Sequence, residues 1–94
     1  MTKKERLFYL VNSYIKNEYT PTDFCDLVVE TFYCNIFAND LLPNQKEEFQ
    51  KLCDVCERFS AHEEDHINCP NAFFTIDDLN NTVIKTREIL KINL

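Results

Sequence analysis

The chain contains no glycine in its 94 residues. Glycine enters left-handed backbone at no steric cost, so its absence disfavours tight primed hairpins and points to helices. The same absence removes every glycine-rich phosphate loop, of Walker or dinucleotide-binding type, with the chemistry such loops serve. Hydrophobic residues make up 45%, enough for a core, and the length allows one domain, read here as 1–94.

Apolar spacing and caps predict four helices. The first runs from about Thr2 to Asn17, with Thr2 and Glu5 at capping-box spacing and Leu7, Phe8, Leu10, Val11, Tyr14 and Ile15 on one stripe. The second opens at Thr20-Pro21-Thr22-Asp23 and continues to about residue 38. Its stripe is Phe24, Leu27, Val28, Phe32, Ile36 and Phe37, widened by Cys25, Val29 and Tyr33, so it is expected to be central. The third covers about 44–59, capped by Asn44 with Glu47 three residues on. It turns Phe49, Leu52, Cys53, Cys56 and Phe59 inward. Thr75 and Asp78 cap the last, about 76–91, with Ile76, Leu79, Val83 and Leu90 on its inner face. Residues 60–75 read as one long irregular segment, a length that in a small domain often carries function. The expected fold is all-α, an antiparallel four-helix bundle.

The longest apolar runs fall far short of the ~18 residues a membrane span needs. The opening Met-Thr-Lys-Lys-Glu-Arg is charged and lacks a signal peptide's apolar region and cleavage site. Five cysteines, at 25, 34, 53, 56 and 69, cannot all pair with one another. These features lead to the expectation of a cytoplasmic protein.

Charge is uneven along the chain. The net charge is −6 with a pI of about 4.8. Residues 40–78 hold ten acids and three bases, whereas 1–39 are close to neutral and 79–94 are slightly basic. Such acidity argues against nucleic acid or an anionic membrane as partner and favours a basic protein surface. The candidate contacts are Asp54 and Glu57 on the third helix, Glu63, Glu64 and Asp65 in the loop, and Asp77 and Asp78 at the last cap. For Asp77 and Asp78, capping competes with binding as the main role. The three adjacent loop acids are expected to repel one another with no local gain, which favours a partner. Phe73 and Phe74 stand either as core lids or as partial contacts.

Two motifs carry less than their letters suggest. His62-Glu63-Glu64-Asp65-His66 matches the zinc-protease pattern H-E-x-x-H, but that chemistry needs a third ligand and an apolar cleft. Cys53 and Cys56 form a C-x-x-C pair that continues the apolar stripe and lies late in its helix, so the core claims them before metal or redox chemistry does. No catalytic residue, metal ligand or cofactor is assigned, and an enzyme is not expected.

Glu57-Arg58-Phe59, then an acidic polar loop, then Phe74-Thr75-Ile76-Asp77-Asp78 opening a helix that ends Glu88-Ile89-Leu90, resembles the colicin D immunity protein family. Phe24-Cys25 and Cys53 fit the same layout. The likeness covers roughly residues 5–92 and is most specific over 52–79. It implies a small acidic four-helix bundle that blocks a cognate tRNA-cleaving toxin domain, its acids entering the cleft where the tRNA backbone would lie. Similar immunity proteins act against contact-dependent growth-inhibition toxins. Glu57 matches the Glu of the Glu-Arg-Phe element, Glu63, Glu64 and Asp65 the family's acidic turn, and Asp77 the acid opening the last helix. His66 to Asn71 looks inserted, and His66 stands where a basic residue is expected. The implied partner is one basic toxin nuclease domain, bound by a monomer in a one-to-one complex. The rival readings are an acidic regulatory adaptor or anti-activator, and a small zinc-binding protein using the Cys and His set.

Overall fold

A computed structural model describes residues 1–34, 36, 38–69 and 71–92. Five helices follow in order: α1 Lys3–Ile15, α2 Pro21–Tyr33, α3 Pro43–Arg58, α4 Glu63–Asn68 and α5 Ile76–Leu90. There is no strand among the described residues, only a single parallel bridge between Phe59 and Phe74. The fold is therefore all-helical, with one helix more than expected, because α4 lies inside the segment read as irregular.

Three of the starts follow their side-chain caps. The hydroxyls of Thr2, Thr20 and Thr75 accept from the amides of Glu5, Asp23 and Asp78, each three residues on. The start of α3 corrects the expected Asn44 cap. Pro43 takes the first helical position, where its missing N–H costs nothing, and Gln45 Oε1 accepts from the Leu42 amide at 2.9 Å.

The end of α2 is a second correction. It stops at Tyr33 rather than near 38, and Ile36, expected in its stripe, is 87% exposed. Phe37, expected beside it, lies outside the described residues. The cause is competition for backbone partners. Ala38 O accepts from the Lys3 amide at 3.0 Å and Asp40 Oδ1 from the Lys4 amide at 3.0 Å. Chain leaving α2 thus satisfies the orphan donors at the start of α1, and Lys3 Nζ donates back to Phe32 O at 2.8 Å.

Without glycine, two other residues carry the left-handed backbone that ends helices. Asn17 has φ 62° after α1 and Lys91 φ 54° after α5. Glu18 N then donates to Ser13 O, and Ile92 N to Arg87 O, as in a Schellman motif. The second turn brings Ile92 into the core, fully buried.

One core joins the four long helices. It comprises Leu7, Leu10 and Val11 of α1, Phe24, Cys25, Val28 and Phe32 of α2, Phe49, Leu52, Cys53 and Cys56 of α3, and Leu79 and Val83 of α5. Each long helix packs on the next: α1 on α2, α2 on α3, α3 on α5. Tyr14 stacks on Phe24 while Lys3 reaches Phe32, so α1 and α2 run in opposite directions. Between α1 and α5, the Tyr14 hydroxyl donates to Asn80 Oδ1 at 2.6 Å beside an open cleft of about 400 Å³. Ile76, expected inward, is 41% exposed, because as the first residue of α5 it sits on the rim of that cleft. No helix of the described residues is long and apolar enough to cross a membrane.

Candidate functional site

The acidic elements meet where α3 ends and α5 begins. After α3 the chain leaves through α4 and returns to its own exit point. Phe74 N donates to Arg58 O at 2.7 Å, and Ser60 N to Phe74 O at 3.2 Å. This closure holds the C-terminal turn of α3, which carries Glu57, against the N-terminal turn of α5, which carries Asp77 and Asp78. Phe74 acts through its backbone and is half-buried, whereas Phe73 is exposed on a cleft wall.

Ser60 fixes α4. Its buried hydroxyl donates to Asp65 Oδ2 at 2.5 Å and accepts from the His62 amide at 3.2 Å. Its carbonyl accepts from His66 Nε2 at 2.8 Å, a contact that requires the ring proton on that nitrogen. Glu63, Glu64 and Asp65 form the first turn of α4, where a helix dipole favours carboxylates. The expectation that these three acids gain nothing locally is therefore corrected. Asp65 in particular is half-buried and engaged, while Glu63 and Glu64 are exposed.

The two cap acids divide in the same way. Asp78 Oδ2 accepts from both the amide and the hydroxyl of Thr75, each at 3.0 Å, and its own amide donates to Thr75 Oγ1. Asp77 is exposed beside it. Asp54 lies one turn before Glu57 and accepts from Gln50 Nε2 at 3.2 Å, which links it to Tyr33 on α2 rather than to α5. Among the described residues, no cationic side chain lies within ion-pair distance of Glu57, Glu63, Glu64 or Asp77. Lys51 pairs instead with Glu47 and Glu48.

One acid was missed by the sequence reasoning. Asp26 of α2 shares a cleft of about 290 Å³ with His62, Asp65 and Phe73, and Cys25 and Cys56 also line it. The apolar stripe dominates the sequence pattern of α2. The signal for Asp26 was its place one helical turn after Thr22, on the polar side.

Cys25, Cys53 and Cys56 belong to the core, whereas Cys34 is half-buried and Cys69 exposed. All five are free thiols. Burial pushes Cys53 up to about 12, helped by the charges of Glu57 and Asp54. A hydrogen bond to the Cys25 thiol, with burial, holds Cys56 well above the ordinary thiol range. Thiols so held are poor nucleophiles and poor metal ligands at neutral pH. His66 is committed to Ser60, and among the described residues no three His, Cys, Asp or Glu side chains gather as a metal site.

The acids that stay exposed, Glu57, Glu63, Glu64 and Asp77, form a surface feature. Near these acids, Asp26 and Asp65 line one open cleft and Glu63 another, with α4 fixed by hydrogen bonds. Such an arrangement pairs with cations of another molecule by charge-assisted hydrogen bonds. No protein-family model, curated protein or solved structure matches the chain.

Proposed function

We propose that the chain is an immunity protein that binds and inhibits a cognate toxic nuclease domain, a tRNase, by covering its basic RNA-binding cleft with this acidic end. The fold proposed for that role is an antiparallel four-helix bundle of α1, α2, α3 and α5, acting in the cytoplasm as a monomer. The observation that carries the reading is the closure of 58–60 on Phe74, which brings the elements bearing Glu57, Glu63, Glu64 and Asp77 together, with no ion pair to these four acids among the described residues. The Glu-Arg-Phe and Ile-Asp-Asp resemblance to the colicin D immunity family supports it from the sequence side.

The physics favours this use. A nuclease that holds RNA needs a cationic groove, and carboxylates held on fixed elements can occupy its phosphate positions. Opposite charge also accelerates encounter, by roughly 10–1000-fold at low salt, which suits an inhibitor that must bind before its own cell's tRNA is cut.

The test is whether the chain co-purifies from native cells with a tRNA-cleaving toxin domain and inhibits its cleavage of tRNA. Glu57→Lys, Glu63→Lys, Glu64→Lys and Asp77→Lys together are expected to abolish inhibition while circular dichroism stays unchanged. Asp65 and Asp78 are left intact because they hold the fold. Full inhibition by the quadruple variant, or inhibition insensitive to a tenfold rise in salt (about a threefold change in Debye length), would refute the reading.

A further inference from the structure

A cleft of about 420 Å³ opens between the turn into α4 and the first turn of α5. Its apolar walls are Pro21, Phe59, Ala61 and Ile76, and Glu63 stands at its edge. Pro21 and Ile76 also border the cleft between α1 and α5, so the two openings adjoin. Asp77 follows Ile76 directly and Glu64 follows Glu63, both exposed. The recess thus combines these apolar walls with the Glu63 carboxylate, while Ser60, His66 and Thr75 complete its lining.

We propose that this recess seats an apolar anchor side chain of a basic protein, the anchor being flanked on that partner by lysine or arginine. The inference rests on the proposed reading that a basic protein docks at this end, and it adds how that partner is held. Charge complementarity selects the occupant. An apolar group entering here strips water from the Glu63 carboxylate, which is costly unless a cation arrives with it. No internal cation competes for Glu63, Glu64 or Asp77 among the described residues. A second copy would bring a net −6 surface against the same acids, and a nucleic acid or anionic membrane would bring phosphates. A desolvated central anchor within a polar rim is also how protein interfaces concentrate their binding energy.

The chain has no tryptophan, so the indole of a probe peptide reports its own burial without background. The probe is acetyl-Lys-Trp-Lys-amide, compared with acetyl-Glu-Trp-Glu-amide and acetyl-Lys-Ala-Lys-amide, on the full chain at low salt. The basic Trp peptide is expected to show blue-shifted emission and to move the amide resonances of Ala61, Glu63, Thr75 and Ile76. The Ala peptide should move those resonances about tenfold more weakly, and the acidic peptide should not bind. Ala61→Phe, at an exposed position, fills the recess and should weaken the Trp peptide about tenfold with circular dichroism unchanged. Equal binding of both Trp peptides, movement centred on Tyr14 and Ile84, dilution-dependent shifts without peptide, or no blue shift at millimolar peptide would each overturn the proposal. If the peptide seats but the nuclease is not inhibited, this inference stands and the immunity reading fails. If the nuclease is inhibited but the peptide does not seat, the converse holds.

Discussion

Asp77 and Asp78 are adjacent acids in the first turn of α5, yet the structure gives them different work, and replacing each by alanine separates the two roles. Both lose a favourable interaction with the helix dipole, about 0.3–1 kcal/mol. Asp78→Ala also loses the carboxylate that accepts from the Thr75 amide and hydroxyl. Loss of one capping interaction costs ~0.5–2 kcal/mol. The expected totals are about 1–2 kcal/mol for Asp78→Ala and under about 1 kcal/mol for Asp77→Ala, with the gap between them near 1 kcal/mol. At this chain length that gap corresponds to about 4–8 °C in Tm. Urea unfolding followed by circular dichroism measures it, with the slope checked for constancy between variants. A double-mutant cycle with Thr75→Ala is expected to show a coupling of roughly 0.5–1 kcal/mol for Asp78 and about zero for Asp77. Equal destabilisation by the two substitutions, or coupling of Thr75 to Asp77, would refute the division of roles. It would also remove the reason for treating Asp77 as the acid left available to a partner.

Lys91→Gly is expected to stabilise the protein by about 1 kcal/mol, because φ 54° costs lysine a steric penalty that glycine escapes; a mid-helix Lys85→Gly should destabilise it by a similar amount, and urea midpoints compare the two. Ser60→Ala removes the hydroxyl shared by His62 and Asp65, so amide hydrogen exchange over 62–69 should accelerate by about tenfold or more while the core of α2 and α3 keeps its protection. Iodoacetamide at pH 8 should modify exposed Cys69 well before buried Cys25, Cys53 or Cys56, as peptide mass mapping would show. The Cys53 thiol titrates near 12 when folded against an ordinary value of 9.0, so between those values the native state binds the extra proton. Its contribution to stability is complete below pH 9 and is lost as pH rises toward 12. Cys53→Ala should flatten that alkaline slope in unfolding measured from pH 8 to 11.

Helices and their inner faces were legible in the residues because both are local and periodic. Leu7, Leu10 and Val11, or Phe49, Leu52, Cys53 and Cys56, recur at a spacing that only a helix turns to one side, and water drives that side inward. Thr2, Thr20 and Thr75 marked their helix starts because a hydroxyl reaches an amide three residues away. The clustering of acids between 40 and 78 was equally plain. Folding alone settled where α2 ends, since Ala38 and Asp40 bond to the amides of Lys3 and Lys4, more than thirty residues away in the chain. It also made α4 out of an apparent loop through one serine. Within the acidic cluster it assigned Asp65 and Asp78 to internal hydrogen bonds and left Glu57, Glu63, Glu64 and Asp77 facing solvent. A carboxylate's type is written in its codon, but whether it is already occupied depends on which donors the folded chain brings to it.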